Sequence, residues 1–316
     1  MRRSVCYLAR LVLAAAAGTA ARAEPETVLE NGPADPYRIA AVQVRLARQG
    51  FSCGLADNRA GPRTRAALDD FRAARNAASD EAAWALLSRD PRPVFGRYTV
   101  RPRDLASLGR APADWEAASR VAAMAYESLL ELVSEQFAVS PPFLAALNPG
   151  LDWGAVTAGV DLVVLNWSPP SLPGPAGRVE IDAVRYRLRV FDEQDRLILS
   201  FPCSVARNEN RMPRGELRMT VFAAHPDYTF DPANYPESPR AREIGRRLRI
   251  PPGPNSPVGV YWIGLNQPGF GIHGTPHPET IGCRESHGCF RLTNRDILTL
   301  SRLARAGLPV RVAAGP

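Results

Sequence analysis

One stretch divides the chain. Between Ser168 and Gly177 lie four prolines and two glycines. Proline has no N–H to donate and breaks a helix interior, and Pro-rich spacers are semi-rigid. Before this stretch the apolar residues recur at helical spacing; after it they alternate. Residues 167–177 are therefore expected to be a linker. At 316 residues the chain has room for two or three domains.

Beyond the linker, residues 178–313 carry the alternating pattern. Val184, Tyr186, Leu188 and Val190 are expected to point one way and Arg185, Arg187 and Arg189 the other. A polar turn at 192–196 precedes Leu197, Leu199, Phe201, Cys203 and Val205. Leu217, Met219 and Val221 predict a third strand, and Val258–Leu265 a fourth, apolar enough to be central. Alternation with hairpin-length turns predicts a mainly antiparallel β domain. The proline-rich segment 223–256, with Tyr228, Phe230 and Tyr235, is expected to be a lid or a disordered loop. Thr293 then caps a helix with Asp296 at its third position and Ile297, Leu300 and Leu303 turned inward; Val310–Val312 closes the chain as a strand.

Upstream, residues 35–91 read as a small all-α module. Ile39, Val42 and Leu46 make one stripe, Gly61-Pro62 opens a second helix bearing Leu68 and Phe71, and Trp84 and Leu87 suit a third. Gly50-Phe51, Gly54, Asp57, Gly61, Thr64, Ala67-Leu68 and Phe71 resemble the signature of the peptidoglycan-binding three-helix domain. Asn58 stands where that family has glycine, Ala60 where it has an aromatic, and Arg72 where it has glutamine. Residues 96–166 predict a β-α-α-β order. Tyr98–Val100 and Leu162–Leu165 are its strands, with helices through Leu129, Leu132, Val133 and Phe137 and through Phe143, Leu144 and Leu147. An Ala-rich insertion, 111–127, follows Leu105. This order, with Ser140-Pro-Pro-Phe-Leu-Ala-Ala-Leu-Asn-Pro149, resembles a LysM module, which implies glycan binding.

The first 23 residues read as an export signal. Arg2, Arg3 and Arg10 precede or flank the short apolar run Leu11–Ala17, and Ala21-Arg22-Ala23 is a small-x-small cleavage site. The run is too short to span a bilayer, and no later segment reaches that length. Cleavage would remove four arginines and no acid, lowering the net charge from +7 to +3. A nucleic acid partner is therefore not expected; an anionic wall polymer suits the remaining charge. The expected location is the periplasm or cell envelope. Every basic side chain is Arg or His, since the chain has no lysine, which excludes Schiff-base lysine chemistry. Cys53, Cys203, Cys283 and Cys289 remain after cleavage, and an oxidising compartment would permit disulfides among them, with a Cys283–Cys289 redox pair conceivable.

The chemistry gathers in two short runs. Ile272-His273-Gly274-Thr275 is followed by Ser286-His287-Gly288-Cys289-Phe290-Arg291-Leu292, with fifteen residues between His273 and Cys289. Gly269-Phe-Gly-Ile-His-Gly274 fits a dinucleotide fingerprint in letters, but Pro276 and Pro278 forbid the helix it requires. The same prolines remove the helical face that His273 and His277 would need as zinc ligands, so neither metal nor cofactor is expected. A thiol becomes nucleophilic as its thiolate and needs a base, and glycine lets backbone N–H groups approach a substrate oxygen. Cys289 with His273 and Gly288 supplies those parts.

These runs resemble the L,D-transpeptidase catalytic domain, whose hallmark is H-G, a spacer, then S-H-G-C-x-R. Ile250–Gly259 resembles the family's proline–glycine approach to its central strand, and Phe290 replaces the usual Ile or Val. The resemblance covers about residues 178–313 and implies a β-sandwich with a short helix. It implies Cys289 as nucleophile and His273 as general base and acid, oriented by a backbone carbonyl at Gly274 or Thr275. It places the oxyanion on backbone N–H groups of His287, Gly288 or Cys289, with Arg291, Ser286 and Thr275 toward substrate. The expected substrate is the peptidoglycan stem peptide and the expected product a 3→3 cross-link. Hydrolysis by L,D-carboxypeptidase action, exchange with a free D-amino acid, transfer to an anchored protein, and a non-catalytic wall-binding scaffold are the alternatives.

Overall fold

The computed structural model describes residues 29–30, 34–213 and 215–313. The expected export signal lies outside them. The first helices are α1 (Arg38–Arg48), α2 (Pro62–Arg75) and α3 (Asp80–Leu87). Val42, Leu46, Phe51, Leu68, Phe71 and Leu87 form their core. Pro62 opens α2, and the Ser79 hydroxyl caps α3 by accepting the Ala82 N–H. Asn58 takes a positive φ of 58°, the backbone that its position requires. The loop around it is held by buried Gln43, which donates to Asp57 and Thr64 and accepts the N–H groups of Asp57 and Asn58.

Next come β1 (Phe95–Thr99), α4 (Pro102–Ala106), α5 (Trp115–Ala118), α6 (Leu129–Gln136), α7 (Pro141–Leu147) and β2 (Asp161–Leu165). β1 and β2 pair antiparallel, and α6 and α7 pack beside them. Two short helices, α4 and α5, lie between β1 and α6 in addition to the expected pair.

The rest is mainly β: β3 (Ala176–Asp182), β4 (Arg187–Asp192), β5 (Leu197–Pro202), β6 (Val205–Ala206), β7 (Gly215–Ala224), β8 (Tyr228–Phe230), α8 (Pro239–Ile244), β9 (Leu248–Ile250), β10 (Tyr261–Leu265), β11 (Gly271–His273), β12 (Arg284–Ser286), β13 (Phe290–Arg291), α9 (Asn294–Ser301) and β14 (Pro309–Ala313). Eight strands make one sheet in the order β13-β11-β10-β7-β14-β3-β4-β5. Instead of two separate sandwich sheets, one long strand serves both halves: β7 pairs with β14 through Gly215–Arg218 and with β10 through Met219–Ala224. Ile297 and Leu300 of α9 join the core between the halves, after a cap in which Thr293 accepts the Asp296 N–H.

Three details differ from the sequence expectation. β3 begins inside the expected linker, at Ala176, because a bulge between Ala176 and Arg178 breaks its alternation against β4. Val184 and Tyr186 belong to the turn before β4, with Tyr186 at a positive φ of 54°. Arg187, expected to face outward, is among the most deeply buried side chains. The reason is the helical unit, which covers edge strand β5. Ser52 N–H donates to Ser200 O and Ser200 N–H to Gly50 O, both at 2.8 Å. Asp70 of α2 then receives Arg187 at 3.2 Å and Arg189 at 2.8 Å, and the Ser200 hydroxyl also donates to it. A buried guanidinium needs such a set of partners.

The 223–256 segment is ordered by a distant partner. Phe230, Ala241, Ile244, Leu248 and Ile250 share a core with Ala118, and Trp115 packs against it. Both belong to the Ala-rich insertion. Met124 exchanges main-chain hydrogen bonds with Pro252 and Asn255, and Arg240 pairs with Asp114 and Glu116.

Candidate active site

β11 ends on His273, and β13 runs parallel beside it with Ile272 opposite Phe290 and His273 opposite Arg291. Side chains alternate along a strand. Ile272 and Phe290 therefore go to the core, where both are fully buried. His273, Arg291 and Cys289 share the other face, the floor of a cleft of about 610 Å³. Tyr228, Tyr235, Trp262 and Phe270 wall the cleft with aromatic surface.

His273 is 4% exposed. Its Nδ1 lies 2.6 Å from the Gly274 carbonyl oxygen. A carbonyl only accepts, so Nδ1 carries the proton and Nε2 is left as the basic nitrogen. The ring stacks on Trp262, centroids 5.4 Å apart. Burial, reinforced by the Arg291 charge, lowers the His273 pKa to about 3. Burial raises that of Cys289. Thiol and imidazole thus both rest neutral on the floor of one cleft, and the Cys289 thiol points to the Gly269 carbonyl oxygen at 3.6 Å.

The Cys289 loop is shaped by Gly288 and Ser286. Gly288 has a φ of +154°, and a Cβ there would stand 2.8 Å from Phe270 Cε1. Ser286 Oγ accepts the Gly288 N–H at 3.2 Å and donates to the Cys289 carbonyl at 2.6 Å. The Gly288 N–H, expected at an oxyanion, is therefore already paired within the loop. Among the described residues the His287 and Cys289 main-chain N–H groups have no partner. Arg291 lines the cleft, meets Glu285 at 3.4 Å and keeps a buried Nε without a partner.

Thr275, expected toward substrate, is turned away. It is buried, and its hydroxyl accepts the His277 N–H at 3.2 Å, stabilising the turn after His273. The His287 ring leaves the floor for the 223–256 segment, where Nε2 lies 2.8 Å from Glu237 and the ring meets Tyr235 edge-on at 4.7 Å. Cys53, Cys203, Cys283 and Cys289 are all free; exposed Cys283 donates to the Thr280 carbonyl. Among the described residues no group of three His, Cys, Asp or Glu side chains could hold a metal.

Trp262, Glu237 and Asn294 stand outside every sequence motif of the site. Trp262 was findable, being the aromatic on the strand beside His273. Nothing local marks Glu237 or Asn294, whose partners His287 and Glu135 are remote in sequence.

Residues 176–312 match the family model described as YkuD, the L,D-transpeptidase catalytic domain. The YkuD protein of Bacillus licheniformis is 29% identical over 184 residues, covering 58% of this chain and 92% of its own. That of Bacillus subtilis is 28% identical over 188 residues, with the same coverage. ErfK/SrfK of Escherichia coli is 27% identical over 190 residues, 59% of this chain and 60% of its own. The floor that joins His273 to Cys289 thus lies in a segment, residues 176–312, that belongs to the L,D-transpeptidase catalytic domain family, and the chain is an enzyme of that class.

Proposed function

We propose that the chain is an exported enzyme that joins peptidoglycan stem peptides through an acyl-enzyme on Cys289, forming 3→3 cross-links. The observation that carries this reading is the β11–β13 register, which sets Cys289 and a tautomer-fixed His273 on one face of an aromatic cleft. The thiol proton passes to His273 Nε2 as sulfur attacks the carbonyl of the third stem residue, a diamino acid. The amide bond to D-Ala at position four breaks, and His273 returns the proton to the leaving amine. The amine of a neighbouring stem then attacks the thioester, loses its proton to His273, and the thiol is restored. The unpartnered N–H groups of His287 and Cys289 are the oxyanion donors, where such donors contribute several kcal/mol to catalysis. Arg291, which lines the cleft, is the cation that would meet a substrate carboxylate.

The helical unit and the LysM-like middle unit hold wall polymer while Cys289 works. A depression of about 280 Å³ on the helical unit, lined in part by Asp57, Arg59 and Thr64, supports a contact there. No helix among the described residues is long and apolar enough to cross a membrane.

Mass spectrometry after incubation with a carbapenem tests the site, since the family resembled here is acylated by these drugs. One covalent adduct is expected on the reduced protein and none on Cys289→Ala. No adduct, or one that persists in Cys289→Ala, contradicts the assignment.

A further inference from the structure

The middle unit reaches the catalytic floor from behind. Glu135, near the end of α6, turns its carboxylate toward α9. Its Oε1 accepts from the Tyr126 hydroxyl at 2.6 Å and its Oε2 from Asn294 Nδ2 at 2.8 Å. Asn294 opens α9 and is 1% exposed. Its Nδ2 also donates to Pro254 O at 3.1 Å, and its Oδ1 accepts the Val260 N–H at 3.1 Å. That oxygen occupies the space beside two glycines. A Cβ on Gly274 would stand 2.2 Å from it, and one on Gly259 2.1 Å. The Asn294 amide is thus packed on the main chain of Gly274, whose carbonyl fixes the His273 tautomer. Arg295 pins the two units together by donating to the main-chain oxygens of Glu135 and Gln136, with its guanidinium over Trp167.

We propose that Glu135 is a positioning residue for His273: through Asn294 it seats the Gly274 carbonyl that orients the imidazole, so the middle unit completes the catalytic site. This rests on the reading of His273 as the base for Cys289. Glutamine at position 135 keeps both contacts, since its oxygen can accept from Asn294 and the Tyr126 oxygen can accept from its amide.

The test follows alkylation of Cys289 by iodoacetamide in the full chain, resolved by peptide mass. Exposed Cys283 serves as the internal standard for the reagent, and buried Cys53 and Cys203 report on general loosening of the fold. Glu135→Ala is expected to slow Cys289 labelling about 10-fold, the scale of a misaligned general base, with Cys283 labelling unchanged. Glu135→Gln should stay within about 2-fold, and Glu135→Ala with Asn294→Ala should be no slower than Asn294→Ala alone, as coupled neighbours require. Wild-type labelling in Glu135→Ala, beside slowed labelling in His273→Ala, overturns the inference and leaves the His273 reading intact. Additive effects of the two substitutions overturn it also. Unchanged labelling in His273→Ala overturns the base reading and this inference with it.

Discussion

Trp115 of α5 lies stacked on Phe230 of β8, ring centroids 4.6 Å apart and planes 24° apart. Two residues far apart in sequence thus tie the insertion of the middle unit to the segment that walls the catalytic cleft. Trp115 also meets Tyr228 and Tyr235, whose hydroxyls are 2.6 Å apart. A two-stranded hairpin such as β8–β9 is marginal alone. Trp115→Ala is therefore expected to free residues 228–250, at a local cost of about 3 kcal/mol. Hydrogen exchange should quicken in β8 and β9, and carbapenem acylation of Cys289 should slow. Unchanged exchange there would show that the hairpin stands without Trp115.

Gly288 combines a φ of +154° with a 2.8 Å approach to Phe270. Alanine there must shift the loop that carries Cys289 and the free N–H groups. Gly288→Ala is expected to lower the acylation rate at least about 100-fold, the loss typical of a displaced oxyanion donor. The melting temperature should fall by only a few degrees. Rapid acylation of the variant by a carbapenem would contradict that geometry.

Asp296 Oδ2 is buried without a partner, and burial raises the carboxyl to about 6 from an ordinary value of 3.8. The folded protein therefore holds this proton more tightly than the unfolded chain. Its favourable contribution is full below pH 3.8 and is lost as pH rises through 6. Asp296→Asn removes the cost of the buried charge. Denaturant unfolding should find the variant more stable than wild type by about 3 kcal/mol above pH 6, with the difference shrinking as pH falls toward 4. An advantage that does not depend on pH would refute this assignment.

Asp70 joins α2 to Arg187 and Arg189 across the sheet edge. Asp70→Ala leaves a buried guanidinium without its counter-charge, a loss of about 3–5 kcal/mol. Denaturant midpoints should fall accordingly, and Arg187→Met in the same background should restore part of the loss. No change in midpoint would mean that the helical unit is not held by this contact.

Legibility in the sequence followed the range of the interactions. α1, α2 and α3 were readable because stripe, proline and cap are local. The proposed pair, His273 and Cys289, is legible because glycine, histidine and cysteine sit within one short segment. β3 was hidden by its bulge and by the neighbouring prolines. Alternation alone points Arg187 outward and does not reveal that α2 covers that face. The 223–256 segment lacks a period of its own, and its core is completed by Trp115 and Ala118. The place of Thr275 beside His273 suggests a substrate contact, whereas its hydroxyl stabilises a turn. Glu135 and Asn294 meet across 159 positions, a separation that no local pattern spans.

In the proposed reaction Cys289 transfers a stem peptide from D-Ala to a neighbouring amine. Incubation of the protein with purified tetrapeptide muropeptides, followed by mass analysis of the products, tests it most directly. Released D-Ala and 3→3 dimers are expected, both absent with Cys289→Ala and with His273→Ala. Tripeptide without dimer would make water the acceptor, and unchanged tetrapeptide with the Cys289 thiol intact would contradict the proposed reaction.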